Sequence, residues 1–142
     1  MNRSLATALV AVLLGGSAAC SRNSAGGADS PELAGTVFLQ SLGAADSAKF
    51  CGIVASDGRV AGSDDVKKCQ ASNLLGTFAA TTSISALKET RVSAVTMTGE
   101  DAARFDADKV TPDAAKAFVS LLASSVSMTR IGDRWYVAVA RS

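Results

Sequence analysis

The apolar residues of this chain change their spacing after Thr77, and this change limits the folds that are open to it. Before that point, Leu33, Val37 and Phe38 follow the three-to-four-residue interval that is typical of amphipathic helices. After it, Thr, Ser and Val dominate, and the apolar period moves toward two, as in half-buried strands. Helices followed by antiparallel strands predict an α+β fold, in which the helices pack on one face of a sheet.

The N-terminus has the three parts of a bacterial secretion signal. A short positive end containing Arg3 precedes an uncharged apolar stretch at residues 5–14, and small residues follow at positions 15–19. The apolar stretch is about ten residues long, whereas a membrane-spanning helix needs about 20. We therefore predict that residues 1–19 are a signal peptide that is removed on export.

Cys20 directly follows these small residues. Ala18, Ala19 and Cys20 resemble the bacterial lipoprotein lipobox, in which the cysteine receives a diacylglycerol, although Ser17 stands where an aliphatic residue is usual. The resemblance implies a lipid anchor that holds the chain on the outer face of the cytoplasmic membrane. The alternative is an A-x-A site for ordinary signal peptidase, which would leave Cys20 unlipidated and the protein secreted.

The chain contains three cysteines, Cys20, Cys51 and Cys69. An odd number in an exported protein implies a free thiol, an intermolecular bond or another use for one of them. If Cys20 carries lipid, the other two make one pair, and an oxidising compartment favours a disulfide between Cys51 and Cys69. Buried free thiols are the alternative. A zinc site is not expected, because the chain has no histidine and no second cysteine lies near either one.

Local signals divide the rest of the chain. Residues 20–30 are small and polar after the cysteine, which predicts a flexible tether, and residues 31–142 are expected to form a single α+β domain. Ser30 and Pro31 are typical of the start of a helix, and Asp46 is a candidate cap for a second one.

Further along, the pattern predicts a third helix over residues 63–75 and a short helix over residues 112–122. Segments that alternate apolar and polar residues, or that are rich in β-branched residues, predict strands at residues 83–87, 91–98, 102–110, 126–131 and 134–140. The segment at 83–87 is either a separate strand or continuous with the next one. Gly132 and Asp133 suit the tight turn of a C-terminal β-hairpin, which brings Trp135 or Tyr136 onto the face of the sheet that the helices cover.

The order of these elements resembles the nuclear transport factor 2-like (cystatin-like) fold of small actinobacterial lipoproteins. Residues 42–46, Leu-Gly-Ala-Ala-Asp, are similar to a helix end followed by a new cap. Cys51 and Cys69 match a cysteine pair between the second and third helices, and residues 132–137, Gly-Asp-Arg-Trp-Tyr-Val, match the last strand.

This resemblance covers roughly residues 31–142. It implies N-terminal helices packed on a curved antiparallel sheet that ends in a β-hairpin. A helix at residues 112–122 departs from the class, in which strand and loop are usual there, so helix and strand both stay open for that segment. Many members have no known reaction, so the resemblance implies a fold more than an activity.

Composition removes several classes of function. Without histidine, neither a Ser-His-Asp nor a Cys-His catalytic set can form, and no S-x-x-K motif occurs. Asp106, Asp108 and Asp113 are interpreted as exposed carboxylates and a helix start, because a calcium loop would need Gly at its sixth position and Glu at its twelfth. The mature chain lacks a Gly-rich phosphate loop, so we expect neither a metal nor another cofactor.

The charge balance bears on the partners. Loss of Arg3 with the signal reduces 14 basic residues to 13, against 13 acidic ones, so the mature chain is neutral and nucleic acid is not an expected partner. The adjacent pair Lys67 and Lys68 is interpreted as part of a solvated helix face.

The leading functional hypothesis is a non-enzymatic, lipid-anchored domain that binds or interacts at the cell envelope, with an envelope protein as one kind of partner. A carrier of a small apolar ligand is the alternative, because folds of this type often enclose a pocket. Its candidate lining residues are Phe38, Phe50, Phe78, Phe105, Phe118 and Trp135. These aromatic residues would otherwise simply fill the core. An enzyme of the same fold class is a third option, but the sequence nominates no polar cluster for it.

Overall fold

The protein is α+β, as predicted: helices come first and are followed by a sheet that ends in a hairpin. The computed structural model describes residues 26–56, 58–60, 62–71 and 84–139. The α-helices are α1 (Pro31–Ala44), α2 (Ser47–Ile53), α3 (Ser63–Ala71) and α4 (Asp113–Leu122), with 3₁₀ helices at Ile84–Glu89 and Ala107–Lys109. The strands are β1 (Val54–Ser56), β2 (Arg59–Val60), β3 (Arg91–Val92), β4 (Val95–Gly99), β5 (Ala102–Phe105), β6 (Val110–Thr111), β7 (Val126–Ile131) and β8 (Arg134–Val139).

The junction between α1 and α2 follows the sequence signals closely. The Ser30 hydroxyl accepts a hydrogen bond from the Leu33 amide at 3.1 Å, which caps α1. After α1, Ala45 adopts a left-handed conformation (φ 52°), and its amide donates to the Leu42 carbonyl. The Asp46 carboxylate then accepts from the Lys49 amide at 3.1 Å. Two residues, Ala45 and Asp46, therefore separate the two helices and fix the angle between them.

The main sheet has six strands in the order β2-β1-β8-β7-β5-β4. Strands β7 and β8 form the predicted hairpin, with Ile131 opposite Arg134 and Gly132 at φ 67° in the turn. The sheet is mixed rather than wholly antiparallel, because β1 runs parallel to β8. Strand β1 follows α2 without a loop and has only three residues. A segment this short shows no alternation of apolar and polar residues from which a strand could be predicted.

Three of the predicted strand segments differ from the structure. Residues 84–89 form a 3₁₀ helix that buries Ile84 and Leu87, three positions apart, rather than a strand. The segment predicted at 91–98 divides into β3 and β4, and the segment at 102–110 divides into β5, a 3₁₀ turn and β6. The reason is tertiary: β3 and β6 leave the main sheet and pair with each other in a second, two-stranded sheet.

The segment at residues 112–122, open to helix or strand, is helical: α4 begins at Asp113, and Pro112 alone separates it from β6. The third helix is α3, and its described part ends at Ala71, so Leu74 and Leu75 lie outside the described residues. Among the helices that the structure describes, none combines the length and the hydrophobicity that a membrane span requires.

The core lies between the helices and one face of the six-stranded sheet. Its most deeply buried side chains include Leu39, Ile53, Leu87, Val119, Met128 and Val137. Trp135 belongs to this core, whereas Tyr136 lies on the opposite side of β8 by strand alternation. Tyr136 is nevertheless only 3% exposed, so another segment of the chain must cover the second face of the sheet at Tyr136.

Candidate functional site: a groove between the first three helices

An N-terminal strap, residues 26–29, covers Tyr136 and ties the start of the domain to the sheet. Ala28 pairs with Trp135 through two backbone hydrogen bonds of 2.8 Å each. Gly27 lies against the Tyr136 ring, where a Cβ would come within 2.8 Å of Cζ. Gly26 and Gly27 both have φ near +72°, a conformation that favours glycine. Residues 26–30, expected to be part of the tether, are therefore bonded to the folded domain.

Arg134 holds this strap with its whole guanidinium group. Its Nε donates to the Gly26 carbonyl at 3.3 Å, one terminal nitrogen donates to the Gly27 carbonyl at 2.9 Å, and the other pairs with the Asp29 carboxylate. The planar fork of arginine supplies donors in fixed directions, which suits several acceptors on one short segment. The point at which the chain enters the domain is thus fixed relative to β8.

A groove of about 1120 Å³ opens beside the strap, between α1, α2 and α3. Each helix supplies one face. Gly26 and Gly27 form part of its rim, and the Gly27 amide donates to the Gly52 carbonyl of α2 at 3.1 Å. The helical lining residues are Val37, Gln40, Ser41 and Ala44 of α1, Ala48, Lys49, Gly52 and Ile53 of α2, and Val66, Lys67 and Gln70 of α3. Val60, Asp46 and Lys88 complete the lining. The groove is therefore amphipathic, with apolar, amide and charged groups side by side.

The charged lining of the groove is mainly cationic. Lys49, Lys67 and Lys88 come from three different elements, and Asp46 is the one acidic lining residue in the described part of the chain. Asp46 caps α2 and lies 3.9 Å from the Lys49 ammonium, so its charge is already engaged. Lys67 and Lys88 form no ion pair among the described residues. A local positive excess therefore exists in a domain whose overall charge is balanced.

The Cys51–Cys69 disulfide, predicted from the sequence, joins α2 to α3. The S–S distance is 2.01 Å and the two Cα atoms lie 5.9 Å apart. Cys51 is buried, and α3 packs chiefly against α2 rather than against α1. The disulfide therefore holds the outer wall of the groove in place.

The aromatic residues nominated for an internal cavity lie elsewhere. Phe38, Phe105 and Trp135 are buried in the core, and Phe50 and Phe118 are half-buried against it. The rings of Phe38 and Phe50 pack together with their centroids 5.6 Å apart. Phe78 lies outside the described residues, as does Cys20. None of these five nominated residues within the described ranges lines the groove.

The shifted ionisable groups lie outside the groove. A hydrogen bond from Lys116 lowers the pKa of Asp113, and the same contact, 2.8 Å between Nζ and Oδ1, raises the pKa of Lys116. Burial raises the pKa of Tyr136. Across residues 26–56, 58–60, 62–71 and 84–139, no three carboxylate or cysteine side chains come close enough to hold a metal ion.

Sequence reasoning missed two parts of this site. Lys67 is exposed, as the interpretation of a solvated helix face predicts, but its position in the groove depends on α1 and α2, which the helical period of α3 cannot show. Arg134 was noted only as part of the hairpin motif. The signal for the strap was present in Gly26 and Gly27, since two adjacent glycines permit left-handed backbone as readily as they permit a flexible linker. No family model, no curated protein and no solved structure matches this chain.

Proposed function

We propose that the mature protein is a non-catalytic binding domain, attached to the outer face of the cytoplasmic membrane through a lipidated Cys20. The signal pattern of residues 1–19 and the small residues before Cys20 support the anchor. The Cys51–Cys69 disulfide is consistent with an oxidising compartment outside the cytoplasm.

The observation that carries the binding role is the position of the groove. Gly26 and Gly27 belong both to the groove rim and to the segment through which the chain arrives from Cys20. An anchored domain would therefore present this groove close to its attachment point. The groove is also a better-supported binding site than an internal cavity, because the described aromatic residues pack within or against the core.

We propose a nuclear transport factor 2-like class for the domain, on the strength of three details. The Ala45–Asp46 junction joins α1 to α2 through a fresh cap, the disulfide joins α2 to α3, and residues 132–137 open the last strand. This class would supply the scaffold, while the groove residues would determine what is bound.

The anchor is tested by the mass of the exported protein. We expect an N-terminal peptide that begins at Cys20 and carries acyl chains. We also expect the parent protein to be bound to the membrane and a Cys20→Ala variant not to be. Exported protein without acyl chains, released to the medium, would overturn the anchoring.

The binding role is tested by a photoreactive residue placed in the groove of the anchored protein in intact cells. Gln70 lines the groove and is exposed, whereas Arg104 is exposed on β5, away from it. We expect an adduct of one discrete mass from position 70 and none from position 104. Equal or absent adducts at both positions would refute a binding role for the groove.

A further inference from the structure

We propose that the groove binds the phosphate-bearing headgroup of an anionic phospholipid in the membrane to which Cys20 is attached. This inference rests on the proposed anchoring and adds the ligand class. Three independent features of the structure point to it: the charge of the groove, its distance from the anchor and its mixed lining.

The charge argument depends on where the three lysines come from. Lys49, Lys67 and Lys88 belong to α2, α3 and the first 3₁₀ helix, and all three line the same groove. Ammonium groups bind phosphate as point charges with three donors each. Because Lys67 and Lys88 form no ion pair within the described residues, their charges are available to an anion.

The distance argument depends on the strap. Gly26 is the sixth residue after Cys20, so even a fully extended chain places the rim at most about 22 Å from the acylated cysteine. Arg134 and the Ala28–Trp135 pairing keep Gly26 beside the groove, so the anchor cannot move away from it. This tether is short enough to keep the groove near the membrane and long enough to let it touch the surface, where anionic lipids attract lysines within about one Debye length, roughly 8 Å at physiological ionic strength.

The mixed lining favours a lipid over free phosphate. Val37, Val60 and Val66 line the same groove as the lysines, and Val60 is 37% exposed. Inorganic phosphate has nothing to place against these apolar groups. A phospholipid offers both a phosphate for the ammonium groups and glycerol and upper acyl carbons for the valines.

The test follows the chemical labelling of individual lysines in the acylated, full mature chain, reconstituted into vesicles. Lys68 is the internal control, because it is exposed and adjacent to Lys67 but does not line the groove. We expect phosphatidylglycerol in phosphatidylcholine vesicles to protect Lys49, Lys67 and Lys88 from amine labelling and to leave Lys68 unchanged. Inorganic phosphate with pure phosphatidylcholine vesicles should protect none of them.

Matched variants then give the magnitude. Each lysine near an anionic surface contributes about a fivefold change in partition, so Lys67→Gln should raise the phosphatidylglycerol fraction needed for half-protection of Lys49 about fivefold. Lys68→Gln should change it less than Lys67→Gln does, because the Lys68 side chain does not line the groove. Both variants alter exposed side chains on α3, so neither is expected to prevent folding.

Three results would overturn the inference: equal protection of Lys68, equal protection in pure phosphatidylcholine, or protection by inorganic phosphate alone. The first would indicate general surface adsorption, and the last an anion site without lipid specificity. Failure of the anchor would be seen separately, in the mass of the exported N-terminus. An acylated chain without groove protection would therefore refute the lipid site and leave the anchored domain intact.

Discussion

Gly43 lies in α1 where that helix crosses the 3₁₀ helix at Ile84–Glu89. A Cβ at this position would lie 2.6 Å from the carbonyl carbon of Leu87 and nearer still to the Lys88 amide nitrogen. Ordinary van der Waals contact begins near 3.4 Å, so the 3₁₀ helix would have to move by about 0.8 Å or more. The obstructing atoms belong to the backbone and cannot rotate away. We therefore expect Gly43→Ala to destabilise the protein, although it lies in a helix.

The magnitude follows from two opposing contributions. In a helix interior without such a contact, alanine in place of glycine raises the free energy of unfolding by about 1 kcal/mol. Overpacking a filled contact costs about 1–3 kcal/mol, and a rigid backbone neighbour favours the upper part of that range. The net expectation for Gly43→Ala is a loss of about 2 kcal/mol. For a domain of this size, such a loss lowers Tm by about 8 °C.

The assay is urea unfolding followed by the fluorescence of Trp135, the single tryptophan, which is buried in the core. Gly52→Ala in α2 is the matched control, because a Cβ there meets no neighbouring atom within 4 Å. This control should gain about 0.5–1 kcal/mol. A Gly43→Ala variant as stable as the parent protein would refute the reasoning, since it would show that the two helices separate without cost.

Two further predictions concern the disulfide and one ion pair. Replacing Cys51 and Cys69 by Ser should lower the free energy of unfolding by about 3 kcal/mol, because the unfolded chain is no longer constrained by a crosslink between residues 18 positions apart. Equal urea midpoints for the parent and the double variant would contradict this. An NMR titration should give Asp113 a pKa below the ordinary value of an aspartate, and the Lys116→Gln variant should bring the pKa of Asp113 back to the ordinary value. Because the pKa is lowered in the folded state, the pair stabilises α4 above the unfolded pKa and loses this effect as pH falls through the folded one.

The fold was predictable wherever a local signal was also the deciding one. The Ser30 cap, the Asp46 cap and the Gly132 turn all act within three or four residues, and the structure has each of them. The 3₁₀ helix was not predictable, because Ile84 and Leu87 are buried by α1, which lies far away in the chain. The same limit applies to Gly43, whose contact with the backbone of Leu87 and Lys88 depends on a segment more than 40 residues away.

The candidate site divides in the same way. The disulfide could be predicted because parity and compartment constrain cysteines without reference to geometry. The groove could not, because its lysines belong to separate elements and each has the pattern of an ordinary solvated face. The strap was hidden for another reason: small polar residues satisfy a flexible linker and a left-handed backbone equally well, and only Arg134, more than 100 residues away, decides between them.

The two sides of the groove are fixed by different chemistry, and this has a consequence for when it forms. Hydrogen bonds from Arg134 fix the strap side, and they require no oxidation. The outer wall, α3, packs chiefly against α2 and is joined to it by the Cys51–Cys69 bond, which requires an oxidising environment. A precursor in the reducing cytoplasm would lack that bond. We therefore expect a complete groove only after export, in the compartment where the proposed anchor and its anionic lipid are both present.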